Sequence, residues 1–122
     1  MKFAAAHYIF SPYGDIFKHA LLDIASGEIV HFENKSSQIE RAYTVFYNGI
    51  ICPDFWGIPA KDIAQILLDQ QKKNPEKNIF GILESFRQNS ADRWIIIENI
   101  NLQTLHLEFM PMVSIIPASR TL

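Results

Sequence analysis

The sequence predicts an α+β fold: a small β-sandwich or partly open barrel made from N- and C-terminal strands, with two short helices inserted between them. Three observations predict it. Through the first fifty-odd positions, short apolar runs are broken at regular intervals by turn formers, the spacing of a sandwich or small barrel. Between Pro59 and Asn89 the apolar period changes to that of a helix. From Trp94 onward it returns to strand-like runs. A chain of 122 residues is enough for one domain with one core. It is too short for a complete (β/α)₈ barrel, which takes roughly 250 residues.

Taken in order, Lys2 to Phe10 reads as a strand, closed by the turn formers Ser11-Pro12-Tyr13-Gly14-Asp15. A second strand runs from about Phe17 to Ile24, with Ala20, Leu22 and Ile24 on one face and His19 and Asp23 on the other. Ala25-Ser26-Gly27-Glu28 turns the chain, Gly27 being free to take positive φ. Glu28 to Glu33 returns as the other arm of a hairpin, carrying Ile29, Val30 and Phe32. Asn34 to Gln38 is a polar loop. The stretch from Tyr43 to Cys52 predicts a second hairpin. Thr44 to Tyr47 are β-formers, Asn48-Gly49 suits a tight type I′ turn, and Ile50-Ile51-Cys52 returns. Pro53 ends the ladder because it has no N–H to donate.

Pro59 suits the first turn of a helix. Ile63, Ile66 and Leu67, with Ala60 and Ala64, then form one apolar stripe. Asn74-Pro75-Glu76 reads as the cap and first turn of a second helix, in which Ile79, Ile82, Leu83 and Phe86 share a face. Trp94 to Ile100 is apolar on both faces and belongs in the middle of a sheet. Leu105, Leu107 and Phe109 alternate with His106 and Glu108 as in a half-buried strand, and Val113 to Pro117 is a last edge strand.

Composition narrows the function. With 48% apolar and 20% charged residues, the chain has the make-up of a folded domain rather than a disordered one. Its net charge is −2, from 11 basic and 13 acidic side chains mixed along the chain. No Lys/Arg cluster is available for nucleic acid or an anionic membrane. No window approaches the ~20 apolar residues of a membrane span. The single Cys52 has no internal disulfide partner. The N-terminus is signal-like only over Ala4-Ala5-Ala6 before His7 and Tyr8 interrupt it, so a cytoplasmic protein is expected.

No nucleotide-binding glycine pattern or nucleophile elbow occurs. His7, His19, His31 and His106 form no His-x-His or His-x-x-x-His pair. Cys52, between Ile51 and Pro53, reads as a small buried apolar residue rather than a nucleophile. Asp15, Asp23, Glu28 and Glu33 lie near turns or on polar strand faces, as solvated charges do. The aromatic group Tyr47, Phe55 and Trp56, with Trp94, reads first as core packing. Its other reading is a contact or ligand surface, formed by Tyr47, Phe55 and Trp56.

Two stretches resemble the amidohydrolase family of metal-dependent hydrolases, in particular its cytosine-deaminase and chlorohydrolase relatives. The first, Phe3 to Phe55, carries AHYIFSPYGDIFKHALLDIASGEIVHFEN followed by FYNGIICPDF; the second, Trp94 to Phe109, is WIIIENINLQTLHLEF. Asp23, Gly27, Ile29, Pro53 and Phe55 stand where the family has its turn and Pro-Gly-Phe corner, and Asp54 replaces the glycine. Together the two stretches cover somewhat over half the chain. In the family the corner leads to a metal-binding His-x-His pair, whereas here Asp54 to Pro59 contains no histidine.

The resemblance implies a composite β-domain, built from segments that flank the barrel in the family and that pair with each other. The two-helix segment would join them, its apolar stripes covering the sheet. It implies a non-catalytic, barrel-less relative acting in protein–protein contact or self-association, with no metal, cofactor or catalytic residue. Two alternatives are an accessory subunit that completes a separately encoded hydrolase or deaminase barrel, and a small-ligand-binding module.

Overall fold

The computed structural model describes residues 3–31, 44–88 and 93–116. The elements are β1 (Phe3–Ala5), β2 (Tyr8–Phe10), β3 (Ile16–Phe17), β4 (Ala20–Asp23), β5 (Ile29–His31), β6 (Thr44–Phe46), β7 (Gly49–Pro53), α1 (Ala60–Lys73), α2 (Ile79–Phe86), β8 (Trp94–Glu98) and β9 (Met112–Ile116). The strands form a four-stranded sheet, β5-β4-β1-β6, and a five-stranded sheet, β3-β2-β7-β8-β9. Both sheets mix parallel and antiparallel pairs and neither closes into a barrel. The architecture is the predicted α+β sandwich.

The expected hairpin at Asn48-Gly49 does not form. β6 and β7 continue in one direction, β6 parallel to β1 (Ala4↔Val45) and β7 parallel to β2 (Ile9↔Ile51). The two bent strands stay bonded through the bend, Tyr47 N donating to Ala5 O at 2.8 Å and His7 N to Gly49 O at 3.0 Å. Gly49 is required for a different reason. A Cβ there would lie 2.0 Å from the Ile97 carbonyl oxygen, so the glycine admits β8 at close range instead of reversing the chain. Tyr43, where the hairpin was to begin, lies outside the described residues.

The two strands expected at each side of the first turn are also interrupted. Residues 3–10 divide into β1 and β2 at Ala6-His7, and 16–23 divide into β3 and β4 at Lys18-His19, where His19 takes φ 52°. Each of the stretches 3–10, 16–23 and 44–53 therefore passes from one sheet to the other. The turns between them are as expected. Ser11 Oγ accepts from the Tyr13 and Asp15 backbone, Asp23 Oδ1 accepts from Ala25 N, and Gly27 takes φ 75° in the β4–β5 hairpin. Phe32, Glu33 and the polar loop to Gln38 lie outside the described residues.

Strands from the two ends share the five-stranded sheet, β7 pairing antiparallel with β8 from Gly49↔Glu98 to Pro53↔Trp94. β8 is flanked by β7 and β9, with Ile95 to Ile97 buried on both faces. Alternation divides the interior. Ile50, Cys52, Ile95 and Ile97 face Ile63 and Leu67 of α1 and Ile79, Ile82 and Leu83 of α2. Ile51 and Ile96 face Ala4, Ala20 and Leu22 of the other sheet. The molecule is thus layered as helices, five-stranded sheet and four-stranded sheet.

α1 follows Pro59 as the sequence predicts, burying Ile63, Ala64, Leu67 and Gln71, while Ile66 is half-buried. α2 starts later than predicted. Asn78 caps it, accepting from Gly81 N at 3.0 Å, and Asn74 instead closes α1 through its N–H to Gln70 O. Leu105 to Phe109 is not a strand. Its backbone bonds go elsewhere: Leu107 N to the buried Gln71 Oε1 at 2.9 Å, and Leu105 O to Ile79 N at 2.7 Å, with Leu105 at φ 60°. The last strand is Met112–Ile116 at the sheet edge, where an edge strand was expected, although Pro117 lies outside the described residues.

Candidate functional site

The structure separates the three aromatics singled out in the sequence. Phe55 is buried on the helix side of the five-stranded sheet, edge-on to Phe10 at 6.3 Å and to Trp56 at 5.8 Å. Trp56 lies against Phe86 at 5.3 Å, and its buried indole N–H has no hydrogen-bond partner among the described residues. Tyr47 is buried on the opposite face, in the core between the two sheets, as Trp94 partly is. Phe55 and Trp56 thus adjoin each other, while Tyr47 belongs to another layer.

The corner that holds Phe55 and Trp56 is locked by Asp54. Its Oδ1 accepts from Trp56 N at 3.0 Å and Gly57 N at 2.9 Å, and its Oδ2 receives Arg93 Nη2 at 2.7 Å. The carboxylate is buried and the guanidinium half-exposed. Asp54 N also donates to Arg93 O, tying the corner to the strand that returns as β8. Neighbouring Cys52 is wholly buried; burial, and secondarily the charge of Asp54, push its thiol well above its ordinary value, so it stays protonated.

Of the histidines, His7 and His19, at the strand bends, both line a cleft of about 480 Å³. Ala5, Ala6 and Ala20 leave the space, and Phe46, Tyr47 and Asn48 complete the wall. His106 lies elsewhere, its Nδ1 bonded to Thr104 O at 2.8 Å. Among the described residues no three of His, Cys, Asp and Glu gather as cation ligands.

The β9 margin of the five-stranded sheet is the third feature. Among the described residues β9 pairs with β8 alone. Its sequence, Met-Val-Ser-Ile-Ile, holds no charge and no proline. Just ahead of it Phe109, at 69%, and Met110 are exposed, as is its own first residue, Met112, at 63%. Asn99 Nδ2 holds this approach through Met110 O at 3.0 Å. The sequence predicts an edge strand here but not its apolar approach, because the alternation from Leu105 puts Phe109 on a buried strand face. No helix of the described residues is long and apolar enough to cross a membrane. Comparison with protein-family models, with curated proteins and with solved structures gives no match.

Proposed function

We propose that this chain is a non-catalytic contact domain that self-associates, and that it is a barrel-less relative of the amidohydrolase composite β-domain. One observation carries the contact reading: β9 is a five-residue, uncharged edge strand with exposed apolar side chains leading into it. Such an edge presents a row of backbone donors and acceptors, and proteins that avoid pairing there blunt it with Lys, Pro or a bulge. β9 itself has neither Lys nor Pro. A second copy offers the same edge, so two β9 strands can pair antiparallel about a two-fold axis near Ser114, the middle residue, extending the sheet across the dimer.

The pairing of β7 with β8 supports the kinship, because it joins the two stretches on which the resemblance rests. The buried, protonated Cys52 supports the non-catalytic reading, since a nucleophile needs an accessible thiolate. Light scattering over a concentration series tests the proposal. The mass rises toward twice the 14.0 kDa of one chain; a mass that stays at one chain up to millimolar concentration overturns it.

A further inference from the structure

We infer that the cleft at the strand bends is a binding site for a small carboxylate carried on a flat apolar body. Its volume, about 480 Å³, falls within the range of small-molecule sites, roughly 300–1,000 Å³. The floor is apolar because the crossing strands bring alanines to one level, and Phe46, 58% exposed, supplies a ring beside them. The polar groups on its wall include exposed His7, His19 and Asn48, all able to donate hydrogen bonds.

A smaller cleft of about 240 Å³ adjoins it, sharing His7 and His19 and adding Lys18. The Lys18 ammonium stands 5.5 Å from the centre of the Tyr8 ring, which helps to hold it at that rim. Among the described residues no Asp or Glu lines either cleft, although the whole chain carries a net charge of −2. Donors and a cation without a carboxylate select an anionic acceptor, and the alanine floor with its aromatic wall selects a flat apolar body.

The backbone at the rim agrees with this use. His19 is held at φ 52°, a conformation uncommon for a residue with a Cβ. Strain of this kind gathers at ligand clamps. The site is formed by three separate stretches of chain, so occupancy has a recognisable signature.

The test is a titration of the full chain with 2-naphthoate, followed by backbone amide NMR. Shifts are expected together at Ala6-His7, His19-Ala20 and Phe46 to Asn48, and 2-naphthamide, the neutral counterpart, should bind at least tenfold more weakly. A His7→Gln, His19→Asn double variant should lower naphthoate affinity by a similar factor; Asn is chosen because it tolerates positive φ. Equal affinity for acid and amide would overturn the proposal, as would shifts confined to other surfaces or none at millimolar naphthoate. The comparison of acid with amide uses the unaltered chain, so it decides the matter even where the double variant does not fold.

Discussion

The two margins of the five-stranded sheet are opposite in character. At one, β3 is only Ile16–Phe17, set between Asp15 and Lys18 and ended by the bend at His19. Ile16 is 47% exposed there, yet the strand is too short and too closely flanked by charge to template another chain. At the other margin, β9 runs for five uncharged residues. Exposed apolar surface therefore does not by itself identify a contact edge. The proposed contact at β9 rests instead on strand length and the absence of a flanking charge, because pairing is made by successive backbone groups and blocked by a nearby charge.

The largest effect should come from breaking the sheet between these margins. Gly49→Ala places a Cβ 2.0 Å from the Ile97 carbonyl oxygen, and backbone cannot yield as a flexible side chain can. Chemical denaturation should show a loss of about 3 kcal/mol or more, or no folded protein. An alanine tolerated at little cost would mean that β7 and β8 do not approach as described.

The comparison itself is sharpened by adding one charge to each edge. Ser114→Lys would set two ammonium groups opposite each other in the proposed dimer, and light scattering should show association weakened about a hundredfold. Ile16→Lys at β3 should leave association unchanged, and neither change should alter monomer stability by more than about 1 kcal/mol. Equal effects at both margins would erase the distinction drawn between them.

Away from both edges, Asp54→Ala removes the acceptor shared by Trp56 N, Gly57 N and Arg93. It should lower stability by about 2 kcal/mol, the scale of hydrogen bonds to a charged group, without changing association. The last effect is absent at neutral pH and appears only in alkali. Cys52 has its folded-state pKa raised above the ordinary 9.0, so above that pH the unfolded chain loses the proton while the folded chain keeps it. The stability contributed by the neutral thiol is complete below pH 9.0 and declines above it by about 1.4 kcal/mol per pH unit. The difference in unfolding free energy between the native chain and Cys52→Val, measured across that range, should show this slope.

Much of the architecture was legible in local periodicity. The stripes Ile63/Leu67 and Ile79/Ile82/Leu83 were readable because a helix face repeats within a few residues, and they cover the sheet as expected. The apolar run Ile95-Ile96-Ile97 placed β8 inside a sheet for the same reason. Asn48-Gly49 misled because two demands select the same residue: a tight turn needs positive φ, and a close strand needs no Cβ. Only the second applies, and it depends on β8, far along the chain. The alternation from Leu105 to Phe109 misled similarly, since Gln71 takes the Leu107 N–H that a neighbouring strand would have taken. For the candidate sites, sequence order grouped Tyr47 with Phe55 and Trp56, but Tyr47 lies with Ile51 in the core between the sheets, whereas the corner beyond β7 at Asp54 turns Phe55 to the helix side. That His7 and His19 line one cleft follows from strands crossing between sheets, which no local pattern encodes.

Engineered disulfides test the contact edge most directly. Ser114→Cys and Ile16→Cys, prepared separately and oxidised at the same concentration, place one new thiol at each margin, with Cys52 buried in both. Antiparallel pairing of β9 about Ser114 brings the new cysteines of two copies within disulfide reach, roughly 4.4–6.8 Å between Cα atoms. A covalent dimer is expected from Ser114→Cys and none from Ile16→Cys. A Ser114→Cys protein that stays monomeric, or equal cross-linking at both positions, would contradict it.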